Sequence, residues 1–395
     1  MKTQLLISAT HFFKQVSKPV QSLIHRLLPE PYQRTYLMRA LVLSLVLRLG
    51  LFLVLYMIDR SMWQHQHVVS EMFTETLQHW DARHYLHLAD VWYRNTPDDK
   101  YFLVFFPLYP ALIKLVNLLV LDLLDSALLI SWVCSVIAAY YLQMILHQEN
   151  FDEDIILRSI LLFHCCPGAM YLVLPYTESL FMALVLYGFY ASYQQGWFRA
   201  GIMGALASAT RITGVLLLPA WLLSAWLQKS RKWSLLWLMI IPSGALVYLY
   251  FNWLVLGNPF EFMKLQSEHW NQQFIMPWEQ LQYTFYRLAT YGVGRYRFNM
   301  YETRLLCFIL GPILLLAGTR RMPLSWQVYA WMSFFIFVCS REVISMPRYL
   351  YTLFPIFPVL AHWGRRPMVF QSMMMLGGIT LAGWFALFIS GSGAY

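Results

Sequence analysis

The sequence predicts an all-α polytopic membrane protein, and three observations carry that reading. Of its 395 residues 59% are hydrophobic. Only 12% are charged, against roughly 25% in soluble domains. Apolar runs of about 20 residues, the length that crosses a bilayer core, recur along most of the chain. The formal net charge of +9 does not mark a nucleic-acid binder, because the basic residues are scattered at segment ends rather than gathered on one face. The five cysteines all lie inside apolar stretches without metal-ligand spacing, and read as small packing residues.

The runs are 37–58, 101–121, 126–146, 155–174, 176–195, 199–228, 233–256, 301–319, 324–340, 348–363 and 368–390. The 199–228 run is too long for one crossing. Thr210-Arg211-Ile212-Thr213-Gly214 divides it, since an arginine at mid-bilayer is costly. The positive-inside rule places the N-terminus, Lys229 to Lys232, Arg320–Arg321 and Arg365–Arg366 in the cytoplasm. Loops 59–100 and 257–300, the Arg211 break, the Pro175–Ser179 turn and residues 341–347 then fall outside. Parity requires that one early run not span. FFPLYP brings two prolines into 101–121 and Lys114 lies within it, so it reads as a juxtamembrane or re-entrant helix. About 11 transmembrane helices result. Residues 1–36 form a basic cytoplasmic segment with a possible amphipathic surface helix in Met1–Leu28, and 37–395 a single membrane body. Within the first span Arg39 can snorkel to the inner interface, whereas Arg48 has no partner visible in the sequence.

Polar residues out of place mark the candidate site. In the first outer loop Trp80-Asp81-Ala82-Arg83-His84-Tyr85 places Asp81, His84 and Tyr85 on one helical face. A carboxylate beside an aromatic and a histidine suits a general base; a solvated loop carboxylate is the plainer alternative. Histidines 79, 84 and 87 lack a metal-binding spacing, so no metal is expected. Glu178, in the first turn after Pro175-Tyr176-Thr177, is either a capping acid or a polar group in a cavity. Arg211 and Arg348 are either interfacial anchors, the latter beside Tyr349, or a pair of guanidinium forks for phosphate. In the second outer loop Phe262, Gln266, His269 and Trp270 share a stripe suited to a sugar or headgroup. No nucleotide-binding motif is present, so an activated lipid fits the outer-face clustering better than a cytosolic nucleotide donor.

Taken in order, Trp80-Asp81 with His84-Tyr85, Phe105-Phe106-Pro107-Leu108-Tyr109-Pro110, Pro175-Tyr176-Thr177-Glu178-Ser179, Thr210-Arg211-Ile212-Thr213-Gly214, Gly257-Asn258-Pro259 through Gln266 and Trp270, and Met346-Pro347-Arg348-Tyr349 resemble the GPI mannosyltransferase 2 (PIG-V) family. That family is of the GT-C class, multi-span enzymes that use a lipid-phosphate sugar at the outer or lumenal face. Where the family often has Arg-x-Asn-Gly, this chain has Thr213. The chain lacks an N-x-[ST] sequon and an ER-retrieval signal, as expected of a prokaryotic homologue in a plasma membrane rather than an ER protein. The resemblance implies a GT-C-like fold and an inverting transfer of a mannosyl or similar hexosyl unit from a polyprenyl-phosphate donor to a lipid- or glycan-linked acceptor. It implies Asp81 as the base and Arg348 with Arg211 on the donor phosphate. Trp80, His84, Tyr85, Tyr109, Glu178, Gln266, His269, Trp270 and Tyr349 would bind substrate. Membrane lipids surround the body, and no cofactor is needed because phosphate is a good leaving group. A transporter or flippase of a lipid-linked sugar is the alternative; it explains the spans but gives Asp81 no role.

Overall fold

The computed structural model describes residues 30–62, 74–292, 294, 301–342 and 346–391. The expected amphipathic segment in Met1–Leu28 lies outside them. Among the described residues the protein is helical, with a single isolated antiparallel bridge, Phe274 to Ser340. The helices are α1 (Pro31–Met62), α2 (Asp81–Val91), α3 (Leu108–Val120), α4 (Leu123–Gln148), α5 (Glu153–Cys165), α6 (Glu178–Tyr193), α7 (Trp197–Ser208) and α8 (Leu217–Leu227). They continue as α9 (Ser243–Leu256), α10 (Glu261–Trp270), α11 (Pro277–Thr290), α12 (Thr303–Gly318), α13 (Leu324–Val338), α14 (Met346–Tyr351), α15 (Ile356–Trp363) and α16 (Pro367–Ile389).

Four helical stretches are long and apolar enough to cross a membrane: Pro31–Ile58, Leu123–Gln148, Trp233–Leu256 and Pro367–Ile389. They make this an integral membrane protein. The expectation of about 11 full crossings is not matched by helices of that length. Helix α3 has 13 residues, about 20 Å at 1.5 Å per residue, short of the roughly 30 Å core. That agrees with setting 101–121 apart. The 155–174 run is not one helix. It stops at Cys165 because Pro167 has no N–H to continue the ladder, and resumes as a 3₁₀ turn, Pro167–Leu172. The 348–363 run breaks likewise into α14 and α15, with Pro355 capping the latter. The 3₁₀ turn packs against α14, and both interruptions are largely buried, the condition under which irregular backbone is tolerated at membrane depth.

The core is built around α6. This helix is apolar on all faces, and from Glu178 to Leu186 every residue is buried. A helix hydrophobic all round must sit inside; α4 lies along one side of it and α7 along another. The tight α7–α9 crossing depends on Gly244, where a Cβ would lie 2.0 Å from the Ala205 carbonyl oxygen. The expected division of 199–228 is present. Helix α7 ends at Ser208, Arg211 is extended at φ −153 and ψ 145, and a 3₁₀ turn, Ile212–Leu216, leads into α8. Gly214 lets that break fold onto α7, since a Cβ there would meet the Ala207 carbonyl carbon at 2.3 Å.

The two ends of the bundle carry different charge chemistry. At one end Glu153 accepts hydrogen bonds from Tyr36 and from Arg39 (3.1 Å), and Asp152 pairs with Arg365 (3.3 Å). The acidic stretch 149–154 thus shares its end with the basic residues that the charge rule assigns to the cytoplasm. The motif residues gather at the other end. Arg48, without a partner in the sequence, donates to two carbonyls, Ser44 at 3.0 Å and Leu172 at 2.9 Å. It is therefore satisfied inside the bundle and does not belong to the site.

Gly244→Ala should lower the thermal midpoint of the detergent-solubilised protein, with overpacking on the order of 1–3 kcal/mol. Gly383→Ala in α16, where a Cβ meets nothing within 4 Å, should be neutral or slightly stabilising. Equal midpoints for the two variants would contradict the close α7–α9 approach.

Candidate active site

A cavity of ≈ 640 Å³ opens at the motif end, within the range of small-molecule sites. Asp81 and Tyr85 of α2 form one wall, continued by Phe105 and Phe106. Phe262, Met263, Gln266 and Trp270 of α10 form the facing wall. Arg211, Thr177, Arg348 and Tyr349 line its base, and Gln272 to Phe274 with Cys339 and Ser340 close one side. These residues are far apart in sequence.

The base is an ionic network. Glu178, fully buried in the first turn of α6, accepts through one oxygen from both Arg348 Nε and Arg211 Nη1. Arg348 Nη1 also donates to Asp81 Oδ2 at 2.6 Å, and Arg211 Nη1 to Thr177 Oγ1 at 3.1 Å. Aromatic faces hold both guanidiniums. Arg348 lies over Tyr176 (4.6 Å) and Tyr171 (5.3 Å), and Arg211 over Tyr349 (5.0 Å). The anchor reading of the two arginines is therefore corrected. Their side chains are only 5% and 12% exposed, so they do not reach for a water interface. Glu178 is the acid in the first turn of α6, but its bonded oxygen is taken up by the two arginines, and it does not line the cavity. The Asp81 side chain is 32% exposed and faces the cavity with one bond to protein.

Asp81 sits at the first position of α2 because Trp80 before it takes φ 58 and ψ −132. Trp92, which closes the same helix, has φ 62 and ψ −174. Two tryptophans in backbone conformations normally left to glycine thus bracket the helix that carries Asp81. Strain of this kind, on the order of 1–3 kcal/mol each, persists where the surroundings enforce it.

The other expected contacts separate into two groups. Tyr85, Gln266, Trp270 and Tyr349 line the cavity with Asp81, Arg211 and Arg348, whereas Trp80, His84, Tyr109, Glu178 and His269 do not. His84 is turned against Phe102 (5.0 Å), Phe105 (5.3 Å) and Trp270 (6.5 Å). Burial lowers its pKa, so it acts as a neutral part of the aromatic wall. Tyr109 lies beneath, in hydrogen-bond contact with Ser131 (3.3 Å), and packs edge-on to Tyr85 at 5.2 Å. His269 is exposed and stacks on Tyr101 at 4.5 Å, off the stripe that it was expected to share. Histidines 79, 84 and 87 point to different partners, and among the described residues no three metal-ligating side chains converge.

Sequence reasoning missed Phe337 of α13 and the 272–274 and 339–340 segments. Nothing in their composition distinguishes them. They reach the cavity through the bridge between Phe274 and Ser340, and through Arg341 N–H, which donates to the Gln273 carbonyl at 2.9 Å. Behind them, Glu342 is buried with Arg304 (2.9 Å) and accepts a hydrogen bond from Tyr283, whose hydroxyl is pushed up to about 12 by burial and by that carboxylate.

Over residues 36–220 the chain matches the model of the family described as Mannosyltransferase (PIG-V). The matched residues include Asp81, Glu178 and Arg211. This bears out, over that part of the chain, the resemblance read from the motifs. The match points to a glycosyltransferase, and the apolar helices to one embedded in a membrane. No curated protein and no solved structure matches the chain.

The 3₁₀ turn Lys100–Val104, which leads into Phe105, is fastened to α2 by Asp99. Its carboxylate accepts from His87 (2.7 Å) and Thr96 (2.9 Å), and these bonds hold its pKa below the ordinary carboxylate value. A depressed folded-state pKa gives stability that is present above the unfolded value and lost as pH falls through the folded one. The thermal midpoint of Asp99→Asn should therefore lie below that of the wild type at neutral pH. The gap should close as pH falls below the carboxylate range; a pH-independent gap would refute the contact.

Proposed function

We propose that the protein is an inverting glycosyltransferase. It moves a mannosyl or similar hexosyl unit from a polyprenyl-phosphate donor to a lipid- or glycan-linked acceptor at the outer membrane face. The observation that carries this reading is the base of the cavity. A buried and a part-buried guanidinium lie there beside a partly exposed carboxylate, in a chain whose residues 36–220 match a mannosyltransferase family model. Two forks converging on one cavity fit phosphate oxygens, and a carboxylate within one side chain of them fits a base for the acceptor hydroxyl.

In this reading Asp81 takes the acceptor proton, the freed oxygen attacks the anomeric carbon from the side opposite the phosphate, and the configuration inverts. Arg348 and Arg211 stabilise the charge that develops on the leaving phosphate, where preorganised donors have the largest effect. Trp270, Tyr85, Phe105 and Phe106 offer aromatic faces to the sugar, and Gln266 an amide to its hydroxyls. The exposed apolar residues beside the opening, Ile212 (50%), Met263 (53%) and Phe274 (67%), suit a prenyl chain lying in the bilayer.

Purified protein given radiolabelled polyprenyl-phosphate mannose and a lipid extract of its native membrane should form a labelled glycolipid. Asp81→Asn keeps size and polarity but removes basicity, and transfer should fall about 10²-fold or more. Product formation by the Asn variant at the wild-type rate would overturn the base assignment. A flippase would make no product at all.

Arg348→Lys tests the phosphate role. One ammonium cannot reproduce a planar fork held between two carboxylates, so transfer should fall roughly ten- to a hundredfold, the loss expected of a charge-assisted hydrogen bond. Full activity with unchanged donor affinity would shift the phosphate to Arg211. The outer-face assignment is checked separately. A single cysteine placed in the 257–300 loop of a cysteine-free background should react with an impermeant reagent from outside. Labelling from the cytoplasmic side alone would reverse the orientation.

A further inference from the structure

We infer that Glu178 is the positioning residue of this site. It keeps Arg348 and Arg211 together as an anion-binding pair while Asp81 lets go of Arg348 during transfer. This rests on the transfer reaction proposed above.

Three features point to it. Glu178 is 0% exposed and absent from the cavity wall, so it cannot bind sugar. One of its oxygens accepts from both guanidiniums, and the other has no hydrogen-bond partner. The two arginines are thus its whole compensation for burial, and without it two like charges would face each other. Third, Arg348 is shared: the guanidinium suited to the donor phosphate is already bonded to Asp81 at 2.6 Å.

This sharing makes the reaction a charge exchange. The empty network holds two positive and two negative charges. As transfer proceeds, the acceptor O–H proton passes to the Asp81 carboxylate, which becomes neutral. The oxygen's electron pair forms the new bond to the anomeric carbon. The bond from that carbon to the phosphate oxygen breaks, and its pair stays on the phosphate, whose charge goes from −1 to −2. Asp81 therefore loses its claim on Arg348 just as the phosphate acquires one. At that moment, of its two carboxylate partners, Glu178 alone still fixes the guanidinium by a directed bond. The rings of Tyr171 and Tyr176 hold its plane but do not set its direction.

The test is steady-state kinetics on the purified full chain, with a short-chain prenyl-phosphate mannose as donor and the membrane lipid extract as saturating acceptor. Glu178→Gln retains the shape and removes the charge. Its kcat should fall about ten- to a hundredfold, the size of a lost charge-assisted bond. The KM for donor should stay within about twofold, because the phosphate still meets two positive charges. A raised donor KM with kcat preserved would overturn the inference and return Glu178 to substrate binding. Wild-type kinetics would overturn it as well. If Glu178→Gln does not elute as a folded species, Glu178→Asp decides. It keeps the charge but is one methylene too short to hold both forks, and the same kcat loss with unchanged donor KM is expected; a wild-type kcat overturns the inference. Asp81→Asn in the same assay separates the levels. Loss there with full turnover in the Glu178 variants sinks only the positioning role, whereas full turnover in Asp81→Asn sinks the transfer mechanism beneath it.

Discussion

The structure is organised around one carboxylate placed where a membrane protein can least easily hold it. Glu178 is fully buried at the start of a helix that is apolar on every side. A buried charge of this kind is retained only if paired. The pairing draws Arg211 from the break between α7 and α8, and Arg348 from α14. Arg348 in turn draws Asp81 from α2. Each of these groups is carried by a chain segment that has left regular helix or just entered it. The irregular segments therefore converge on one end of the bundle, and the uninterrupted spans α1, α4 and α16 form the surrounding body.

The division of labour between the two ends follows from the same physics. At the far end the ion pairs, Arg39 with Glu153 and Arg365 with Asp152, are largely exposed, and such pairs contribute about 0–1 kcal/mol. They orient little and leave the ends of the helices solvated. At the site end the pairs are buried beneath aromatic rings. There, removing one partner costs about 3–5 kcal/mol because the other is left uncompensated. The buried network thus specifies geometry, which a site for a charged substrate requires, and its arginines are oriented before any ligand arrives. The strained backbone at Trp80 and Trp92 is of a piece with this. Both sit at the ends of the short helix that delivers Asp81 to the network, and packing against the core holds that helix where its own propensities would not.

Much of this was readable in the sequence for a definable reason. Apolar runs, and charges that interrupt them, are local signals. They gave the all-helical membrane class, the break at Arg211, the setting apart of the 101–121 segment and the peculiarity of Asp81, Glu178, Arg211 and Arg348. The ordered motifs gave the family. What failed were inferences that needed a direction in space. The i, i+4, i+7 and i+8 stripe on α10 is real, yet Phe262, Gln266 and Trp270 face the cavity while His269 stacks outward on Tyr101. His84 and Tyr109 belong to the packing behind the wall rather than to its surface.

The sequence by itself determined that the chain crosses a membrane, which polar residues are out of place in it, and which family it resembles, because hydrophobicity and motif order are properties of the linear chain. The tertiary structure alone decided the partners. Arg48 and Arg348 each lie in an apolar run, and the partners of neither can be read from the sequence. In the folded protein Arg48 spends its donors on carbonyls within the bundle, and Arg348 is held between two carboxylates at the edge of a cavity. The physical reason is that a buried ion's role is fixed by the counter-charges within a few ångströms of it, and those come from segments up to 267 residues away.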